Sequence, residues 1–235
     1  MIFLVAVVYS SVGHGGASGY LALMGMLGIS SVYMRSSSLL LNLFVSCIAF
    51  CQFYRNGYFK WKLFYPFAVS SVPLAYIGAG ISLSTAWYNR ILGIFLIIAA
   101  LRLTGIFNKK IIDAKNEFSV SSGIIIGAVL GFLSGMIGIG GGIILSPVLL
   151  IFGWANVKEA AAVSALFIFV NSCSGLLGIG TDNLILYSQF IWWIFAAVLG
   201  GMAGSLWGSR FAKNIILKNV LALVIFLAAV KLIFI

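Results

Sequence analysis

The sequence predicts an all-α polytopic membrane protein built from two inverted structural repeats. Each repeat is expected to hold a glycine-broken re-entrant or half-helix pair followed by three transmembrane helices. Three observations carry this: the composition, a duplicated glycine cluster, and the placement of the cations. Of the 235 residues 63% are hydrophobic and only 8% are charged, whereas soluble domains carry roughly 25% charged residues. Uncharged runs cover residues 63–89, 118–157, 160–181 and 183–209, each long enough for a span of about 20 residues. The short alternating segments of a membrane β-barrel are missing. The net charge of +10 does not point to nucleic acid, because the cations stand singly between apolar runs, where topology-setting charges belong. Residues 1–12 are apolar but lack a basic leader and a cleavage site, so they read as a membrane element and not as a signal peptide.

The repeat is legible as a register. Gly13 pairs with Gly138, Gly15-Gly16 with Gly140-Gly141 and Gly28 with Gly153, all 125 residues apart. Ser46-Cys47 pairs with Ser172-Cys173 and Gly78 with Gly204 at 126, and "AALRL" at 99–103 pairs with "AAVKL" at 228–232. Small loop insertions account for the drift. The chain then divides into a first membrane repeat (1–107), a polar linker (108–117) and a second membrane repeat (118–235). Five elements are expected in each half: 1–12, 17–29, 33–54, 63–85 and 87–107, then 120–137, 143–152, 158–177, 187–211 and 215–235. The second element of each half is too short to span and follows a glycine cluster. Glycine costs about 1 kcal/mol in a helix interior, and a broken helix at membrane depth is tolerated where its backbone lines a cavity. Both second elements therefore read as half-helices. Whether the first and second elements of each half re-enter or cross fully is left open by the sequence.

Charge sets the topology. With the first two elements of each half on one side as a hairpin, one face collects Arg55, Lys60, Lys62, Arg102, Lys109, Lys110, Lys115, Lys158, Arg210, Lys213 and Lys218. The other keeps Arg35, Arg90 and Lys231. This 11-to-3 division agrees with positive-inside sorting far better than the 8-to-6 division of a parallel arrangement. The linker is expected in the cytoplasm and both termini opposite it.

Two glycine breaks that meet near the midplane mark a transporter's binding site. Each half-helix begins just after its glycines and turns free N–H groups and a partial charge of about +0.5 toward the break, which suits an anion. The four acids, Asp113, Glu117, Glu159 and Asp182, all fall at segment ends or loops, which argues against a cation pump. Expected substrate-binding residues are Gly13, His14, Gly15, Gly16, Ser38, Asn42, Gly138, Gly140, Gly141, Gly142, Ser164 and Asn171. Ser38, Asn42 and Ser46 share a helix face, as do Ser164, Asn171 and Ser174, and Ser18 and Ser146 are weaker candidates on the half-helices. His14, the only histidine, is the candidate for proton coupling because imidazole titrates near neutrality. Arg35 and Lys158 read as interfacial anchors, and the tryptophans near segment ends, Trp154 among them, as an interfacial belt. Cys47, Cys51 and Cys173 read as packing residues. No metal, cofactor or ATPase motif is expected, nor an enzyme, since neither a Ser-His-Asp set nor paired carboxylates occur.

At "GMIGIGGGIILSPVLL" (135–150), followed by "AAAVSALFIFVNSCSG", the chain resembles the sulfite exporter TauE/SafE family of membrane permeases. The first half departs from the pattern, with Gly13-His14-Gly15-Gly16-Ala17 at its break and Ala22 where the second half has Pro147. The resemblance implies a secondary transporter in the bacterial inner membrane, moving sulfite, an organosulfonate or a similar sulfur-containing anion. Its partners would be that small anion and the lipid bilayer, with homo-oligomerisation left open. The competing readings are an uptake carrier or channel for another small anion, and a non-transporting subunit of a membrane complex.

Overall fold

A computed structural model describes residues 1–27, 29, 31–81, 117–180 and 190–234. The expected helix at 87–107, most of the linker, the 99–103 copy of the repeat and the residues Arg90, Asp113 and Asp182 lie outside the described residues. Within them the chain is helical and has no strand. The order is α1 (Ile2–Ser11), α2 (Ala17–Met26), α3 (Ser31–Arg55), α4 (Trp61–Ala79), α5 (Val120–Ile137), α6 (Gly142–Ile151), α7 (Val157–Ile179), α8 (Phe190–Leu206) and α9 (Asn214–Phe234). A π-helical turn, Trp207–Phe211, continues α8. Among the described residues, four stretches are long and apolar enough to cross a membrane: Tyr33–Arg55, Val120–Ile137, Val157–Ile179 and Phe190–Phe211.

The helix boundaries follow local chemistry. α5 starts at Ser119, whose side chain accepts from the Ser122 N–H, and ends at Gly138 in the left-handed region, whose N–H returns to the Ser134 carbonyl. α7 starts with a capping box: the Asn156 side chain accepts from the Lys158 and Glu159 N–H groups while Glu159 reaches back to the Asn156 N–H. Such a box satisfies donors the helix cannot, and it places the α7 start one residue earlier than expected. Glu159 also pairs with Lys60 at 2.6 Å, which ties the α3–α4 turn to the head of α7. α4 carries Pro66 and Pro73 internally and is still one helix.

Pairing between helices is reciprocal. α5 lies on α4 with backbones almost touching. A Cβ added to Gly127, Gly131 or Gly135 would strike the carbonyls of Phe67, Ser71 and Ala75 in turn. Both numbers rise together, so the two helices run in the same direction. α8 lies on α1 in the same manner: Gly200 meets Phe3, Gly204 meets Val7, and Gly208 just beyond meets Ser11. Small residues at such spacing let helix backbones approach. By contrast, α3 and α7 cross in opposite directions, with Leu39 beside Gly175 and Phe53 packed with Ala161. α4 runs with α7, since Ser174 donates to the Val72 carbonyl and Gly178 abuts Tyr76. Two bundles result, one of α4, α5 and α7, the other of α1, α3 and α8, joined along α3 and α7. The short helices α2 and α6 lean on α3 and α7 respectively.

Trp61, Tyr65 and Trp192 are exposed, as a belt requires. Trp154 departs from that expectation: it is buried, stacked on Phe152 and edge-on to Phe118. The chain doubles back at Gly153, where φ is +67°, and carries the indole inward. Cys47 and Cys173 are half-buried, Cys51 is exposed, and all three are free thiols.

Candidate functional site

The two breaks meet. The first, between α1 and α2, is packed against α3 and α7; the second, between α5 and α6, is packed against the same two helices. Glycine is required by both conformation and space at the first residue of each. Gly13 has φ +79° and a Cβ there would overlap the Ala161 carbonyl; Gly138 has φ +80° and would strike the Arg35 side chain. Only glycine adopts such φ values without strain.

Asn42 on α3 holds the two breaks at once. Its Oδ1 accepts from the Ala17 N–H at 2.9 Å, capping α2, and its Nδ2 donates to the Ile139 carbonyl at 3.1 Å in the other break. One turn earlier, Ser38 donates to the Gly138 carbonyl at 3.2 Å and to the Arg35 carbonyl at 3.0 Å. Arg35 then fixes the neighbouring helix ends: its guanidinium donates to the Ala79 carbonyl at 2.9 Å and to the Gly135 carbonyl at 2.6 Å. These are the terminal carbonyls of α4 and α5, where a cation is favoured. Arg35 is therefore not a headgroup anchor. Lys158, in the first turn of α7, plays a matching part, donating to the Ser209 carbonyl at 3.1 Å and to the Tyr58 hydroxyl at 3.3 Å.

His14 sits in the first break, 1% exposed. Its backbone N–H donates to the Tyr9 carbonyl at 2.9 Å. Its Nε2 lies 2.9 Å from the Ser146 Oγ on α6, and Ser146 donates to the Ser164 Oγ on α7 at 2.7 Å. This chain links the first break to both helices that flank the second. Across the break the Tyr9 hydroxyl pairs with the Ser18 Oγ at 2.8 Å. Tyr9, His14, Gly15, Gly16, Ala17, Ser18, Ile139, Ile143 and Ile168 line a small, open-sided pocket.

The donor inventory of the two breaks is unusual. Gly13 and His14 spend their N–H groups on α1, and Gly138 spends its own on α5. The N–H groups of Gly15, Gly16, Ile139, Gly140 and Gly141 reach no acceptor among the described residues. Gly15 and Gly140 stand 125 residues apart, as do Gly16 and Gly141, so each half presents the same pair. Successive unpaired N–H groups in turns with left-handed residues form anion-binding concavities. The positive ends of α2 and α6 lie behind them. Among the described residues no carboxylate enters the site, and no cluster of His, Cys, Asp and Glu is placed to hold a metal.

The expected residues divide accordingly. Gly13, His14, Gly15, Gly16, Ser38, Asn42, Gly138, Gly140, Gly141, Gly142 and Ser164 all gather at the two breaks. Asn171 is buried but donates back to the Phe167 carbonyl on its own helix, and it makes no hydrogen bond to either break. Its spacing from Ser164 puts it on the right face but about 10 Å further along the helix. Tyr9 was not singled out by the sequence; the one signal available was an aromatic hydroxyl about one turn before the glycines. Ser146, a weaker candidate, is the middle of the His14 chain.

The family described as sulfite exporter TauE/SafE matches the chain over residues 1–232. "Probable membrane transporter protein y4hK" of Sinorhizobium fredii is 34% identical over 233 residues, covering 98% of this chain and 94% of its own. "Probable membrane transporter protein MJ0441" of Methanocaldococcus jannaschii is 31% identical over 53% of this chain and 47% of its own. "Probable membrane transporter protein YunE" of Bacillus subtilis is 27% identical over 72% and 65%. No solved structure matches the chain.

Proposed function

Because the chain belongs to the sulfite exporter TauE/SafE family of membrane transporters, we propose that it is a secondary transporter for a small sulfur-containing anion, such as sulfite or an organosulfonate. The anion is held between the two breaks and exposed alternately to either side of the cytoplasmic membrane. The observation that carries this reading is the set of unpaired N–H groups at Gly15, Gly16, Ile139, Gly140 and Gly141. Backbone donors can replace part of an oxyanion's hydration shell without a buried lysine or arginine, and among the described residues no carboxylate stands there to hold a cation.

The inverted arrangement of the halves draws support from helix direction. α3 and α7 are the third elements of their repeats and run in opposite senses, while α5 runs with α4 and α1 with α8. A two-fold relation that reverses α3 into α7 has its axis perpendicular to them, in the plane of the membrane. The linker then lies in the cytoplasm. In a protein whose native cysteines are replaced by alanine, a cysteine at position 109 should label only from the inside; labelling from the outside overturns the topology.

The decisive measurement is flux into proteoliposomes with sulfite, methanesulfonate and sulfate, with and without a pH gradient. Saturable flux of a sulfur oxyanion is expected. No saturable flux of any of the three would leave the subunit reading in its place.

A further inference from the structure

The pocket accepts as well as donates, and its side-chain nitrogen acceptor is His14. Ser146 gives its hydroxyl proton to Ser164, so toward His14 its oxygen can only accept. Nε2 must then carry the hydrogen of that 2.9 Å contact. A neutral imidazole has one N–H, which leaves Nδ1 with a bare lone pair. Nδ1 is buried and has no hydrogen-bond partner. At the pocket the N–H groups of Gly15, Gly16 and Ile139 are unpaired donors and Tyr9 is paired with Ser18, while the Tyr20 hydroxyl, beside Gly16, is buried without a partner.

We propose that His14 selects the singly charged, hydroxyl-bearing form of the transported oxyanion, its Nδ1 accepting the substrate O–H while the glycine N–H groups hold the charged oxygens. This rests on the anion-transport reading above. A fully deprotonated oxyanion offers lone pairs only and sets one against Nδ1. A sulfonate has oxygens for the N–H groups but no O–H for His14. The proton thus travels as part of the substrate, bound to its oxygen throughout, and no protein group changes its protonation state. A buried acceptor left unsatisfied weakens binding by about 10- to 100-fold.

The other titratable groups around the site do not supply this selectivity. Tyr9 on α1 is paired with Ser18, and Tyr20 on α2 lies with its ring against Gly16. On α3, Arg35 is committed to the Ala79 and Gly135 carbonyls. On α7, Lys158 and Glu159 are engaged at the head of the helix with Tyr58, Ser209 and Lys60. α6 contributes no titratable group, and α9, which packs against α1, α2 and α7, carries Lys218 and Lys231.

The test uses the wild-type protein in proteoliposomes and compares sulfite with selenite, whose second ionisations fall at different pH. For each anion, KM expressed as total anion should be flat below its own second ionisation and rise about tenfold per pH unit above it. Methanesulfonate should bind about 10- to 100-fold more weakly than hydrogensulfite, without that rise. A midpoint at the same pH for sulfite and selenite would assign the proton to the protein and overturn the proposal. So would methanesulfonate binding as tightly as hydrogensulfite. His14→Leu, if its melting temperature is retained, should erase the difference between sulfite and methanesulfonate; discrimination that persists in a folded variant overturns the role of His14. Absence of flux for all three anions would instead defeat the transport reading.

Discussion

Asn42→Leu should release both breaks and lower stability by about 3 kcal/mol or more. One amide serves two backbone groups, the Ala17 N–H and the Ile139 carbonyl. An average hydrogen bond between membrane helices is worth only about 0.6 kcal/mol, because the separated helices find other partners. That average does not apply here. The groups Asn42 serves belong to interrupted backbone, buried with no helix of their own to complete, so each pays the cost of an unsatisfied polar group. The measurement is the melting midpoint in detergent, alongside flux. Asn42→Asp separates the two bonds: it can still accept from Ala17 but no longer donates to Ile139. It should lose less stability than the leucine variant, yet lose anion flux as completely, because a carboxylate beside the N–H groups opposes the anion. An Asn42→Leu variant that melts with wild type would remove Asn42 as the brace between the halves.

Gly131→Ala should be nearly as damaging, although it is far from any polar chemistry. Its Cβ would meet the Ser71 backbone on α4 rather than the tip of a side chain, and a helix backbone cannot step aside locally. Overpacking costs about 1–3 kcal/mol in well-packed interiors, and here it must separate two helices along their common length. Gly57→Ala is the control. Gly57 has φ +77° but nothing within reach of an added Cβ, so it should show only a conformational cost of about 1–2 kcal/mol. The readout is the fraction of monodisperse protein surviving a heating series. Equal losses in the two variants would mean that the α4–α5 contact is not a backbone contact in the membrane.

The positions of the elements were legible because glycine, proline and charge punctuate this chain sharply. The glycines and the polar linker set the bounds of α5, which coincide with the observed ones, and the clusters before α2 and α6 announce those short helices. The register that pairs Gly13 with Gly138 also marks the two breaks that pack together. Partners were not legible. The stripe Gly123, Gly127, Gly131, Gly135 states that something approaches closely, but periodicity within one helix does not name the helix opposite. Likewise Ser38, Asn42 and Ser46 share a face, yet Ser38 and Asn42 bind the breaks while the Ser46 hydroxyl finds no partner. Which turn of α3 reaches the breaks depends on how deep α2 and α6 sit, and that is a tertiary fact. His14 could be found from its place among the glycines. Which of its nitrogens carries the hydrogen could not, since that is decided by Ser146 and Ser164, more than 130 residues away.

The glycine-lined contact between α1 and α8 has a bearing on how the protein is made. The backbone-tight neighbour of α1 is Phe190–Leu206. Chains grow from the N-terminal side, so α1 is synthesised long before that neighbour exists. α4 waits a shorter time, for α5. α1 therefore stays without its tightest partner until α8 has been made, and the break that follows α1 is not braced from that side before then. A chain ended before α8 would leave uncovered the face of α1 that Gly200 and Gly204 pack against.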